Sequence, residues 1–260
     1  MRLLEGKTAL VFGVANKHSL AWAIAQCLWE AGADVGLSYA GDKLERRVRP
    51  LADELGARFV EPCDVTDDGQ IEVVFDRAAQ VFGHLDILVH AIAYAERDDL
   101  NGLYLDTSRA GFHTAMDISV YSLVALSRAA RPLMSRGGAI LTLTYYGAEK
   151  VIPHYNVMGA AKAALEASVR YLAADLGPDG IRVNAISAGP VKTLSAGAFM
   201  GFRDMLHHVG ECAPLRRSIS ATEVGKSALY LLSDLGSGVT GETLHVDAGY
   251  HILGLTRPTG

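Results

Sequence analysis

Cysteine is scarce in this chain, and its distribution limits what the residue can do. The three cysteines, Cys27, Cys63 and Cys212, are scattered and odd in number, which argues against a disulfide framework and against a paired-cysteine zinc site. We therefore expect free thiols in a reducing cytoplasm. His207 and His208 are adjacent instead of spaced along one helix face, so no metal site is expected either.

Strong net charge and long apolar runs are also lacking. The 24 basic and 29 acidic side chains give a net charge of −5, which provides no general attraction to nucleic acid or to an anionic membrane. No apolar stretch approaches the roughly 20 residues of a membrane span, and the first residues run directly into a strand-like segment instead of a signal peptide. The 260 residues are 50% hydrophobic, so we predict one domain over residues 1–260, located in the cytoplasm.

Strand-like apolar segments alternate with helix-length amphipathic segments. The strand-like segments are 8–13, 33–39, 57–62, 85–92, 138–145 and 181–187, with a last one near ETLHVDAGY. This alternation predicts an α/β Rossmann fold, with about seven parallel strands, helices on both faces and ligands at the carboxyl ends of the strands. Residues 190–212 interrupt the alternation with small, aromatic and Met residues, and we interpret them as a mobile substrate-binding lid.

The first strand-to-helix turn lacks the Gly-x-Gly-x-x-Gly fingerprint of dinucleotide-binding proteins. It contains Gly13, then VANKH, then Ser19 at the start of a helical segment. A glycine here permits close backbone approach, and a serine at a helix start places a hydroxyl beside free amide groups, where a pyrophosphate could bind. A capped turn without a ligand would show the same composition.

Tyr155 and Lys162 are separated by seven residues, about two helical turns, which predicts that both side chains lie on one helix face about 10 Å apart along the axis. A phenol beside a fixed cation is a proton donor that can stabilise developing negative charge. Reduction of a carbonyl or of an α,β-unsaturated thioester requires such a group. The spacing therefore predicts a reductase.

The segment LTLTYYGAEKVIPHYNVMGAAK adds Tyr145, ten residues before Tyr155. Its Tyr-x6-Lys spacing resembles the bacterial NADH-dependent enoyl-[acyl-carrier-protein] reductases of the short-chain dehydrogenase/reductase superfamily. The superfamily's more usual Tyr-x-x-x-Lys is absent, because Met158 stands four residues before Lys162. The resemblance spans nearly the whole chain. It implies NADH-dependent reduction of the trans-2 double bond of enoyl thioesters, in the final step of each fatty acid elongation cycle, by a homotetramer whose substrate is carried by acyl-carrier protein.

The resemblance also implies roles for individual residues. The catalytic residues would be Tyr145, Tyr155 and Lys162. The cofactor would contact Gly13, Ser19, Leu20, Asp64, Val65, Ile92, Lys162, Val191 and Thr193. The substrate would contact Ala95, Tyr145, Tyr155 and Ala196. Plain packing remains an alternative for Tyr145, and a helix N-cap remains one for Asp64.

The end of the second strand bears on the choice between NADH and NADPH. Ala40 and Gly41 supply neither a carboxylate for a ribose hydroxyl nor a base for a 2′-phosphate. Lys43, Arg46 and Arg47 follow slightly later, and a solvated helix face is the favoured interpretation of these three. We therefore predict NADH.

Three other functions remain open. A carbonyl reductase is disfavoured by Met158. The lid helix of relatives is often rich in Lys and Arg, but here Met200, Arg203 and Asp204 supply only one positive charge, so a related enoyl reductase with another carrier, such as coenzyme A, stays an alternative. A non-enzymatic protein that senses the cofactor would be expected to lose Tyr155 or Lys162, and both are present.

Overall fold

A parallel β-sheet forms the centre of the computed structural model, which describes residues 2–193 and 201–255. The strands are β1 (Thr8–Phe12), β2 (Asp34–Tyr39), β3 (Val60–Pro62), β4 (Ile87–His90), β5 (Gly138–Thr144), β6 (Ile181–Ala188) and β7 (Thr243–Val246). In the described part of the chain they form one seven-stranded sheet in the order β3-β2-β1-β4-β5-β6-β7, and every neighbouring pair is parallel. The predicted α/β Rossmann fold with about seven strands is confirmed.

The connections between the strands are helical. The helices are α1 (Leu20–Glu30), α2 (Asp42–Leu55), α3 (Asp68–Phe82), α4 (Arg97–Leu100), α5 (Arg109–Met116), α6 (Ser122–Ala130), α7 (Asn156–Leu176), α8 (Phe202–Cys212) and α9 (Ala221–Leu232). A π-helical turn, Asp117–Tyr121, separates α5 from α6. Such π-helical turns occur often at functional sites.

Two hydrophobic cores lie on opposite faces of the sheet, because successive strand residues point to opposite sides. In β1, Leu10 and Phe12 belong to one core, whose helical residues come from α3, α6 and α7. Ala9 and Val11 belong to the other, which is covered by α1, α2 and α9. Both faces are therefore buried, as near-continuous apolar strands require.

The strand order reverses between β1 and β4, which are neighbours in the sheet although β2 and β3 lie between them in sequence. In open α/β sheets a crevice forms at the carboxyl ends of the strands at such a point, and ligands bind there. The turns after β1 and β4 therefore border the expected cofactor site, and the residues after β5 lie one strand further along the same edge.

The observed elements differ from the predicted ones in detail. The third strand begins at Val60 instead of residue 57, and it pairs with β2 only from Leu37↔Val60 onward. The predicted lid, 190–212, contains α8 at its end, while residues 194–200 lie outside the described part of the chain. Among the described residues no helix is both long and apolar enough to cross a membrane.

The cysteines and the adjacent histidines occupy ordinary positions in this fold. Cys27 and Cys63 are buried free thiols, and Cys212 is a partly buried one. His207 is exposed, as expected for a surface residue, and lies 3.3 Å from Glu211. His208 is instead partly buried, because its ring packs edge-on against Tyr250.

Candidate active site

Tyr155 lies immediately before α7, at its N-cap position and without a side-chain capping bond, so the helix begins one residue later than the spacing of Tyr155 and Lys162 predicts. Its two neighbours, His154 and Asn156, have φ angles of 61° and 38°, a region that costs free energy for residues other than glycine. The Asn156 side-chain amide donates to the carbonyl oxygens of Leu100 and Gly102. The surrounding structure thus fixes Tyr155 between two unusual backbone conformations.

The Tyr155 ring packs against Tyr145, which follows β5 directly. The two ring centroids are 5.0 Å apart and the planes cross at 75°, an edge-to-face arrangement that aromatic pairs favour. On its other side the ring lies against Gly147, where an added Cβ would be only 2.4 Å from Tyr155 Cδ1. The sequence places Tyr145 and Tyr155 ten residues apart, and the fold brings their side chains into contact.

Burial keeps both phenols protonated. It raises the pKa of Tyr155 above its ordinary value, and the charges of Tyr145 and Glu166 raise it further. Burial also raises the pKa of Tyr145 to about 12. The Tyr145 hydroxyl donates to Met205 Sδ in α8 at 3.3 Å. This contact between the strand end and α8 gives no signal in the sequence, because a methionine in an amphipathic helix has many possible partners.

Lys162 is a buried lysine, with 5% of its surface exposed. Its Nζ donates to the backbone carbonyl oxygen of Leu143 in β5 at 2.8 Å. Burial lowers the pKa of Lys162 to about 8, while the carboxylate of Glu166 acts in the opposite direction. A buried cation at the end of the strand that carries Tyr145 fits a role in electrostatic stabilisation rather than in packing.

A buried polar network lies beneath these residues, and sequence reasoning missed it. His90, at the end of β4, is fully buried and contacts Thr142 Oγ1 and Ser122 Oγ, both at 2.8 Å. Because the Ser122 hydroxyl donates to Ile118 O, it accepts from His90 Nε2, and Nδ1 accepts from Thr142. Burial lowers the pKa of His90 to about 3, and the charge of Lys162 acts in the same direction. The imidazole is therefore a neutral hydrogen-bonding group.

The turn after β1 has the form that a bound pyrophosphate requires. Gly13 has φ 99°, and an added Cβ there would be 2.1 Å from Ala91 O, so the chain segments after β1 and β4 approach each other closely. Ser19 caps α1, and its hydroxyl accepts from the Trp22 amide. Leu20 begins the first turn of α1, which is apolar. A helix N-terminus beside a close backbone turn fits an anionic group.

Asp64 and Val65 follow β3 at the same edge of the sheet. Asp64 is exposed, and its Oδ1 accepts from the Thr66 amide and hydroxyl. The N-cap of α3 is Asp67, so the alternative interpretation of Asp64 as a helix cap is wrong. The free side of its carboxylate can accept from an adenine amino group. Val65 is buried in the core, so its side chain supports this turn from below.

The basic residues after β2 lie on the outer side of α2. Lys43, Arg46 and Arg47 are all exposed, which agrees with a solvated helix face. Gly41, with φ 72°, precedes the first residue of α2. The end of β2 thus presents small residues, which agrees with the prediction that the cofactor is NADH.

The remaining predicted site residues follow β4 or β6 in the chain. Ile92 and Ala95 are partly buried and, like Tyr155, pack against the core on the α3, α6 and α7 side of the sheet. Val191 and Thr193 follow β6 and are partly buried. Ala196 lies outside the described residues. The structure therefore brings the predicted catalytic residues together, and it places the predicted cofactor contacts after β1, β3, β4 and β6.

A doubly wound parallel sheet, a buried Lys bound to the end of a strand, a pair of phenols after that strand end and a glycine turn before a capped helix are typical of dinucleotide-dependent reductases. Comparison with known proteins narrows this class. The family model described as enoyl-(acyl carrier protein) reductase matches residues 13–251. The chain belongs to this family.

Similar proteins share nearly the full length of the chain. An enoyl-[acyl-carrier-protein] reductase [NADH] of Rhizobium meliloti is 59% identical over 97% of this chain and 93% of its own length. One from a Nostoc species is 55% identical over 97% of this chain and 99% of its own. The crystal structure of the Bacillus cereus enoyl-acyl carrier protein reductase with NADP⁺ and indole naphthyridinone superposes with a TM-score of 0.96 and 55% identity, covering 98% of this chain and all of that one. The sequence-based assignment to this family is confirmed.

Proposed function

We propose that this protein is an NADH-dependent enoyl-[acyl-carrier-protein] reductase, which reduces the trans-2 double bond of enoyl thioesters at the end of each fatty acid elongation cycle. One observation carries the assignment of the site: the Tyr155 and Tyr145 rings are in contact, 5.0 Å apart, at the strand end where Lys162 is buried. Membership of the enoyl reductase family supports the reaction, and the names of the relatives support NADH.

Each catalytic residue acts on charge or position. NADH supplies the hydride that adds to the β-carbon of the enoyl group. The protonated Tyr155 hydroxyl donates to the thioester oxygen as it becomes an enolate oxygen. The Lys162 ammonium binds the ribose hydroxyls of the dinucleotide and keeps the local potential positive. Addition of a proton from solvent to the α-carbon then completes the reduction. Tyr145 lies beside the phenol and borders the acyl chain.

The cofactor and the substrate occupy neighbouring parts of the carboxyl edge of the sheet. Gly13, Ser19 and Leu20 receive the pyrophosphate, Asp64 and Val65 the adenine, and Ile92, Val191 and Thr193 the nicotinamide half. Ala95 lines the acyl site beside Tyr145, in a single domain. Helix α8, the described end of the predicted lid, closes over the substrate, and the contact from the Tyr145 hydroxyl to Met205 supports a link between this helix and the reacting residues.

The assembly we propose is a homotetramer in the cytoplasm. β7 is the last strand of the sheet, and all four of its residues are only partly buried in the isolated chain. An edge strand of this kind is usually covered in the native protein. Light scattering coupled to size-exclusion chromatography measures the mass directly, and a monomer at micromolar concentration would contradict the assembly.

A substrate panel tests the activity. NADH oxidation is followed with trans-2-enoyl groups on acyl-carrier protein and on coenzyme A, and with a ketoacyl thioester as control. We expect the highest kcat/KM with the carrier-bound enoyl group and a lower value with NADPH. Preference for coenzyme A would identify a reductase with another carrier, and reduction of the ketoacyl control alone would refute the assignment.

A further inference from the structure

Two successive residues at the end of β5 bind two successive turns of α7. The Leu143 carbonyl oxygen accepts from Lys162 Nζ at 2.8 Å, and the Thr144 hydroxyl donates to Glu166 Oε1 at 2.7 Å. Lys162 and Glu166 are four residues apart, so they lie on the same face of the helix. Tyr145 is the next residue of the chain. The same strand end therefore holds both the Lys162 ammonium and the Glu166 carboxylate.

We propose that Glu166 is a positioning residue of the active site: held by Thr144, its carboxylate keeps the Lys162 ammonium charged in its buried position. This inference rests on the proposed function, because it assigns to Lys162 the binding of the dinucleotide ribose. Glu166 does not touch the substrate in this mechanism. It acts through Lys162.

A comparison of the groups around Lys162 indicates that Glu166 keeps the ammonium charged. His90 faces the lysine from β4, but burial keeps it neutral, with a pKa of about 3. The Leu143 carbonyl oxygen accepts a hydrogen bond but carries no net charge. Glu166 provides the charge that acts against burial and favours the protonated lysine. A buried cation without a nearby anion tends to lose its proton instead of remaining charged.

Four neighbours control the charge of Glu166 itself. The pKa of Glu166 lies above its ordinary value, because burial, the largest cause, and the charge of Glu149 raise it, while the Thr144 hydrogen bond, His245 and Arg170 act in the opposite direction. Glu149 is engaged by His245, whose Nε2 lies 2.8 Å from Glu149 Oε1. The hydrogen bond from Thr144 favours the ionised carboxylate, because it is made to the charged form.

The test replaces Glu166 by Gln, which keeps the shape of the side chain and removes its charge. The matched control is Glu149→Gln, which removes a carboxylate close to Glu166 but not one that acts on Lys162. NADH affinity is measured by fluorescence titration from pH 6 to pH 9 for both variants and for the unaltered protein. The Lys162 ammonium is followed separately by NMR of ¹³Cε-labelled lysine, with its signal assigned from Lys162→Met.

We expect Glu166→Gln to bind NADH as tightly as the unaltered protein at pH 6 and about tenfold more weakly at pH 9. Without the carboxylate the pKa of Lys162 is lower, so a smaller fraction of the lysine is charged at pH 9. The Lys162 resonance should titrate at correspondingly lower pH. Glu149→Gln should follow the unaltered protein in both measurements. An unchanged Lys162 titration in Glu166→Gln, or an equal change in Glu149→Gln, would overturn the inference.

A second variant covers the case in which Glu166→Gln does not fold. Thr144→Val keeps both charges and removes the hydrogen bond that holds the carboxylate. It should therefore lower the pH at which the Lys162 resonance titrates, and weaken NADH binding at pH 9 by less than tenfold. An unaltered Lys162 titration would refute the positioning role. Both readouts are independent of turnover. A protein that fails to reduce enoyl thioesters would therefore refute the proposed function without deciding the role of Glu166.

Discussion

Replacing Gly147 by Ala should misplace Tyr155 while leaving the cofactor crevice intact. The added Cβ would lie 2.4 Å from Tyr155 Cδ1 and 2.8 Å from Cε1, whereas ordinary contacts begin at 3.4 Å. Gly147 cannot retreat, because its carbonyl oxygen already lies against Gly159, where an added Cβ would be 2.9 Å away. The phenol ring must therefore move by about 1 Å, and a displacement of that size costs about 100-fold in rate.

The assay for this substitution is kcat and KM for the enoyl substrate, together with NADH affinity and the unfolding midpoint. We expect kcat to fall about 100-fold, with NADH affinity unchanged because the Lys162 contact to Leu143 is not touched. Overpacking should cost about 1–3 kcal/mol of stability. Gly177→Ala is the matched control, since an added Cβ there meets nothing within 4 Å. Normal kcat in Gly147→Ala, or an equal loss in the control, would show that the position of the ring does not limit the reaction.

Three further substitutions separate catalysis from stability. Tyr155→Phe should lower kcat about 10²–10³-fold with NADH binding retained, because it removes one donor to the enolate oxygen; full turnover on every enoyl substrate would refute the role of the phenol. Lys162→Met should abolish turnover but stabilise the fold by about 2 kcal/mol at neutral pH. Lowering the pKa of Lys162 from 10.5 to about 8 destabilises the folded state by roughly 3 kcal/mol, and the substitution removes this cost. It also loses the hydrogen bond to the Leu143 carbonyl oxygen, which stabilises the folded state by about 1 kcal/mol. The pKa is lower in the folded state, so this cost is fully present below pH 8 and disappears as the pH rises toward 10.5; urea titrations that give Lys162→Met the same stability gain at pH 7 and pH 10.5 would contradict it. Arg182→Leu should lose about 3 kcal/mol of unfolding free energy, because the guanidinium donates to three backbone carbonyls, of Leu231, Ser233 and Val239; a loss of kcat in excess of the folded fraction would contradict a purely structural role.

Much of the fold follows from sequence periodicity. Apolar strands such as β1 and β5 are buried on both sides, so continuous apolar runs mark them, and the alternation with amphipathic helices determines the parallel topology. β3 is harder to predict, because it is a short edge strand whose pairing with β2 begins only at Val60. The start of α7 is also missed, since the backbone at His154 and Asn156 takes positive φ angles that neither residue type signals.

The site is predictable only in part, because long-range contacts decide the rest. The spacing of Tyr155 and Lys162 indicates that they act together, but it does not show that Lys162 is buried. The buried network of His90, Thr142 and Ser122 joins three elements that are far apart in sequence. Polar residues in otherwise apolar segments are the available signal, and their partners depend on strand order and helix packing that periodicity does not specify.

A difference in length between two neighbouring strands creates the binding place for Lys162. β4 pairs with β5 only as far as His90↔Thr142, whereas β5 continues to pair with β6 as far as Thr144↔Ser187. The Ala139 amide donates to the Asp86 carbonyl oxygen, just before β4. Alternate residues of a parallel strand bond to the same neighbouring strand, so the backbone groups of Leu143 also face the β4 side. Because β4 has ended at that level, the Leu143 carbonyl oxygen accepts from Lys162 instead, as a buried backbone acceptor requires a partner. The end of one strand thus fixes the Lys162 ammonium, and lengthening β4 in its register would remove the acceptor that holds it.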